Sequence, residues 1–211
     1  MTVLFDRGSK RVLPSDTAIE AFWSWFEEIA ERLAIDFDNA ALLEELDARV
    51  WRLGELAWEL GPGASAENAL TITPDGDRGW LAASQRVVVM APELPTWEFH
   101  AAKPPKQWDL QFSIERSDGE VLELDARGWR YVLLRMPDGR YDIVLEQNNL
   151  RDHVGDDDRW AAALVLLDGL LGEAKRLLLI GDIETVRELP REQALNASSV
   201  AVLSSHLESL E

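Results

Sequence analysis

Five carboxylates stand where acid–base chemistry is conceivable: Asp125, Asp142, Glu146, Asp168 and Glu173. Two such groups can divide proton donation and withdrawal between them, or flank a glycosidic bond. Asp168 is set apart by its context, Leu166-Leu167-Asp168-Gly169-Leu170-Leu171-Gly172-Glu173. A carboxylate buried in so apolar a helix needs partners or a raised pKa. The plainer reading turns it outward near the helix end, or onto a backbone or arginine group. In a chain with 39 acidic residues, carboxylate pairs also arise by chance.

The three histidines, His100, His153 and His206, are far apart and none has a neighbour at ligand spacing. His153 lies beside Asp152 and ahead of Asp156-Asp157-Asp158, a loop that a hard cation can bind through carboxylates. The triplet is explained without a metal, because acids at a helix start complement the helix dipole. Asp75-Gly76-Asp77 reads in the same way as a turn followed by a helix cap. No metal and no cofactor is expected. GxxxxGK[ST], GxSxG and HExxH are absent, and Gly61-Pro62-Gly63 lacks the third glycine and the following helix of a dinucleotide fingerprint.

One segment runs against the acidic background. Lys103-Pro104-Pro105-Lys106-Gln107-Trp108 holds two of the four lysines, the others being Lys10 and Lys175. Its double proline stiffens the link, so Lys103, Lys106 and Trp108 form a rigid basic–aromatic loop that can grip an acid. The plainer reading is a stiff connection with solvated charges.

The elements that would position these groups are legible in the apolar spacing. Ile19, Phe22, Phe26, Ile29 and Leu33 mark one face of a helix, with Thr17 and Glu20 as its capping box after Pro14. Leu43, Leu46 and Val50 mark a second. Alternation then gives strands at Leu56–Leu60, Leu70–Ile72 and Trp97–Ala101, with a helix over Arg78–Met90 between the last two. Ser117-Asp118-Gly119 suits a three-residue hairpin loop that sets Ile114 opposite Leu122 and Phe112 opposite Leu124. Asp138-Gly139 suits a two-residue loop that pairs Met136 with Tyr141, Leu134 with Ile143 and Arg135 with Asp142. That register leaves a mixed face, with Trp129, Tyr131, Arg135, Asp142 and Glu146 as the candidate binding surface. A buried helix follows over Asp156–Leu171 with Gly172 as its C-cap. Residues 176–189 read as extended, and the tail carries one weak helical pattern, Val200, Leu203 and Leu207. The expected fold is α+β, a mainly antiparallel sheet of about five to seven strands with helices mostly on one face and an N-terminal helical pair. One domain over 1–211 is expected, with a helical part to residue 53, a sheet-centred core over 54–190 and a tail over 191–211.

Composition narrows the partners. Lys+Arg is 21 against 39 acidic residues, a formal net charge of −18. Nucleic acid and anionic membrane are disfavoured, because phosphate contacts need Lys and Arg. A basic protein or a cationic ligand is electrostatically welcome. Nine Trp against two Tyr point to a Trp-rich core or to Trp at a binding surface. There is no cysteine, so disulfides and thiolate chemistry are excluded. The start Met1-Thr-Val-Leu-Phe-Asp6 lacks a signal-peptide stretch, and the longest apolar run, Trp160–Leu167, is too short to span a bilayer. A cytoplasmic protein is expected.

Four stretches carry a resemblance: Phe22-Trp23-Ser24-Trp25-Phe26, Leu70-Thr71-Ile72-Thr73-Pro74-Asp75-Gly76, Ala91-Pro92-Glu93-Leu94-Pro95-Thr96-Trp97-Glu98-Phe99 with Lys103-Pro104, and Leu167-Asp168-Gly169-Leu170-Leu171-Gly172-Glu173. They resemble a group of acidic bacterial cytosolic α+β proteins with no attached activity. The resemblance implies a bacterial, cytosolic setting and no site residues. The leading expectation is a non-enzymatic interaction protein of the immunity or regulatory type with a protein partner, for which the charge favours a basic one. The alternative is a small-molecule enzyme or binder built on a carboxylate site.

Overall fold

Ser15, not Thr17, starts the first helix. In the computed structural model, which describes residues 12–116, 118–150 and 154–210, its Oγ accepts from the Ala18 N–H at 3.3 Å. Helix α1 then runs over Asp16–Ile35. Asn39 caps α2, Ala40–Trp51, in the same way through the Leu42 N–H. Ser15 takes the extended backbone that a cap needs, φ −72° and ψ 153°.

The chain divides into two compact units, Met1–Ala102 and Lys103–Glu211. This division differs from the sequence boundaries at 53 and 190. The helical pair shares one core with the strands that follow it, up to Phe99. In that first unit β1 (Ala57–Pro62) pairs antiparallel with β2 (Asn68–Thr73), and β2 pairs parallel with β3 (Trp97–His100). Between β2 and β3 lie a 3-10 turn at Arg78–Trp80 and α3 (Leu81–Val89). The expected stripe of α1 is buried, widened by Trp23 and Trp25. Phe26 meets Trp97 edge to face with ring centroids 5.1 Å apart, and Trp23 meets Phe99 at 4.7 Å. The Trp23 indole N–H donates to the Val87 carbonyl at 2.7 Å, so burial leaves it satisfied.

The second unit opens with hairpin β4 (Gln111–Glu115) and β5 (Val121–Asp125), in the register expected: Ile114 opposite Leu122 and Phe112 opposite Leu124. Of its expected loop, Ser117 lies outside the described residues. Hairpin β6 (Arg130–Arg135) and β7 (Tyr141–Glu146) departs from expectation by one residue. Met136 pairs with Arg140 across a three-residue loop, and Gly139 takes φ +87°. Pro137 has no N–H to give a ladder, so it sits in the loop rather than the strand. The unit continues with α4 (Asp156–Leu171), α5 (Glu173–Leu179), β8 (Ile180–Val186), a helical turn α6 (Arg191–Ala194), β9 (Ser198–Ser199), a 3-10 turn at Val200–Val202 and α7 (Leu203–Glu208). Residues 176–179 are helical, as the end of α5, where the extended reading of 176–189 expects strand, because Glu173-Ala-Lys-Arg-Leu-Leu-Leu are all good helix formers restarted after Gly172. Val200, Leu203 and Leu207 of the tail are buried.

The fold class is α+β with an N-terminal helical pair. The single large sheet is corrected. Three sheets form, β1-β2-β3, β4-β5 and β8-β7-β6-β9. Two pairings, β2 with β3 and β7 with β8, are parallel. A parallel neighbour needs a long crossover, and α3 in one unit and α4–α5 in the other supply it. No helix is long and apolar enough to cross a membrane among the described residues.

Candidate functional site

The one-residue shift in β6–β7 redistributes the expected binding surface. Arg135 faces Tyr141, and Asp142 faces Leu134, so Arg135 and Asp142 are not cross-strand partners. Tyr131, opposite Leu145, turns with Tyr141, Ile143 and Leu145 into the core of the second unit, where Trp129 is also fully buried. Asp142 and Glu146 lie on the other side of the sheet, because side chains alternate. The mixed face therefore does not assemble, and its members take separate tasks. Trp129 donates its indole N–H to Asn149 Oδ1 at 2.6 Å. The Tyr131 hydroxyl meets His206 Nδ1 at 2.6 Å, and burial raises its pKa. Asp142 accepts from the Asp182 N–H at 2.8 Å. Glu146, buried, takes Arg130 at 2.6 and 2.9 Å and the Leu189 N–H at 3.0 Å. Those bonds hold its carboxyl below the usual range. Arg135 is exposed.

The secondary candidates, by contrast, converge. Lys103, Lys106, Trp108 and Asp168 meet at the elbow where α4 turns into α5. The Lys106 N–H donates to the Gly169 carbonyl at 2.7 Å, and the Glu173 N–H donates to the Lys103 carbonyl at 2.9 Å. Buried Glu173 in turn accepts from the Lys103 N–H at 3.1 Å. Trp108 packs against Gly169: a β-carbon there would come within 2.2 Å of its ring. Its indole N–H is buried without a partner among the described residues. Asp168 binds Arg176 Nε, the guanidinium partner that the extended reading of 176–189 hid. Burial is the larger influence and lifts the Asp168 carboxyl above its ordinary value, with Arg176 opposing it. The elbow is thus held by backbone hydrogen bonds to a stiff loop and by the ion pair of Asp168 with Arg176. It clamps two helices together.

Of the other carboxylates, Asp125 is bound by Arg127 at 2.5 Å and drawn down to about 2. Asp77 caps the 3-10 turn through the Gly79 N–H at 2.7 Å. His153 and Asp152 lie outside the described residues. Among those described, no three or more His, Asp or Glu side chains are placed to hold a metal ion.

What the outer surface does present is acid on helices. Glu20, Glu27, Glu28 and Glu31 are exposed along α1. At 100° per residue Glu20, Glu27 and Glu31 fall on one strip, opposite the buried stripe. On α2, Glu44 and Asp47 are exposed on a face they share with Trp51, which is 66% exposed. Trp160 on α4 is 50% exposed, one turn after Asp156. The sequence signal for Trp51 is its place on the polar side of α2, one turn after Asp47. No protein family, curated protein or solved structure matches the chain.

Proposed function

We propose that this chain is a non-enzymatic interaction module that receives a basic protein partner on the acidic faces of α1 and α2, in the manner of an immunity-type or regulatory protein. The strip Glu20, Glu27 and Glu31 carries the reading. Glu27 and Glu31 are one helical turn apart, and like charges at that spacing cost a helix roughly 0.2–0.5 kcal/mol. The strip therefore works against the fold that bears it, while it favours fast, salt-sensitive association with a basic surface. The same charge disfavours nucleic acid and anionic membrane as partners.

The double variant Glu27→Gln/Glu31→Gln tests this. It is expected to be slightly more stable in thermal melts. It is also expected to lose basic proteins that the tagged wild type retains from native lysate at low salt. Equal retention by the variant, or no salt-sensitive retention by the wild type, refutes the reading.

A second reading, a carboxylate site for a small molecule, rests on the raised Asp168. Asp168→Asn separates the two. A structural clamp predicts a loss of about 1–2 kcal/mol, from weakening one charged hydrogen bond to Arg176, with partner retention unchanged. A ligand site predicts that some metabolite's thermal stabilisation disappears in the variant.

A further inference from the structure

The first unit contains a worked example of how it holds a guanidinium. Arg49 lies over the Trp25 ring, its Cζ 4.5 Å from the ring centroid. Glu45, one turn earlier on α2, takes Arg49 Nε at 3.0 Å and Nη2 at 2.7 Å through Oε1. An indole face and a carboxylate thus bind one arginine from two sides, combining a cation–π contact with charged hydrogen bonds.

The outer face of the same helix carries the same two components without the cation. Trp51 follows Asp47 by four residues and Glu44 by seven, so at 100° per residue all three fall within one narrow strip. All three are exposed. Asp47 Oδ1 accepts from the Trp58 indole N–H at 3.2 Å, which fixes that carboxylate beside the strip. Among the described residues no cation pairs with Glu44 or Asp47, and none lies over Trp51. Ala40 and Ala48, also exposed on this side of α2, leave the approach open.

We infer that Trp51, with Asp47 one turn and Glu44 two turns before it on the same strip, is the seat for an arginine side chain presented by the basic partner. The inference rests on the interaction-module reading and names its anchor. Arginine suits the seat better than lysine, because its planar guanidinium stacks on an indole while its N–H groups reach carboxylates at the edge. A second copy of this chain is a poor occupant, since an acidic face would meet an acidic molecule.

The test is a titration of ¹⁵N-labelled protein with a hexa-arginine peptide and, separately, hexalysine at low salt, following the tryptophan indole N–H signals. The variants are Trp51→Ala and Glu44→Gln, with Trp160→Ala as the control exposed indole. The inference predicts that the Trp51 signal moves, that hexa-arginine binds more tightly than hexalysine, and that Trp51→Ala weakens hexa-arginine about fivefold while Trp160→Ala does not. Trp51 is exposed, so an unchanged melt and near-ultraviolet spectrum will show that the variant is folded. Binding that leaves the Trp51 signal still and survives Trp51→Ala, but is lost in Glu27→Gln/Glu31→Gln, overturns the arginine seat and leaves the acidic module standing. No binding of either peptide at low salt overturns both.

Discussion

Glu98 has its charge wholly committed to the fold. Its carboxylate collects the Ala64, Ser65 and Ala66 N–H groups at 2.8, 2.7 and 3.2 Å, the Ser65 hydroxyl, and His100 Nε2 at 3.0 Å. The loop between β1 and β2 thereby folds around a side chain of β3. Successive backbone N–H groups make a concave anion site, and here the anion is internal. The hydroxyl of Ser65 is the largest influence that holds the Glu98 carboxyl far below its ordinary value of 4.5. A depressed carboxylate contributes stability that is present above its unfolded pKa and is lost as pH falls through the folded one. Glu98→Gln is expected to speed amide exchange at residues 64–66 at neutral pH. It is also expected to flatten the decline in stability on acidification below about pH 4.5, the ordinary value. Unchanged exchange in that loop would show that the carboxylate does not hold it.

At the scale of elements, two glycines in α4 and at its end let the basic loop approach the helix. Gly169 faces the Trp108 ring, and Gly172 takes φ +75° under Pro105. Gly169→Ala gains helix propensity but forces the indole outward, and overpacking of this kind costs about 1–3 kcal/mol. A net loss in urea denaturation, with a shift in tryptophan emission, is the expected result; a more stable variant would show that the ring moves freely. The same elbow shows why parts of the fold were legible and others not. The stripe of α1 and the first hairpin follow directly from side-chain periodicity, and so do Leu46 and Val50 of α2, where Leu42 rather than Leu43 completes the buried face. In the second hairpin Asp138-Gly139 fits a two-residue or a three-residue loop, and alternation of period two cannot tell them apart. A slip by one residue turns the side chains of one strand to the opposite face, so the two-residue register puts Tyr131 on one face with Asp142, whereas the three-residue loop puts it in the core. Residues 176–179 have the leucines of a strand and of a helix alike. Only Gly172 and the contact with Lys103 decide for the helix, and Arg176 comes to Asp168 as a result. Lys103, Lys106, Trp108 and Asp168 can each be picked out by type, but Asp168 stands 60 residues beyond Trp108 and nothing in that spacing brings it to the loop.

For the molecule as a whole, a net charge of −18 sets the response to solvent. Acids on α1 and α2 repel one another across water, and salt screens such repulsion over a length of about 8 Å at physiological strength. The melting temperature is expected to rise as sodium chloride is added from low ionic strength, while binding to a basic peptide weakens over the same range. A melting temperature that falls with salt would mean that attractive pairs such as Arg116–Asp158 and Arg130–Glu146 outweigh the repulsion.

The parallel pairing of β7 with β8 carries a consequence in time. The hairpins β4–β5 and β6–β7 close across a few residues, so their ladders can form while the rest of the second unit is still unfolded. Strand β8 begins at Ile180, after β7 has ended at Glu146 and both α4 and α5 have intervened. Closing so long a loop loses more chain entropy before any contact repays it. The order of assembly is therefore written into the topology: local hairpins early, the edge strand β8 late. An amide-exchange pulse during refolding should find β6 and β7 protected on their shared side before the ladder between Glu146 and Val186 has closed.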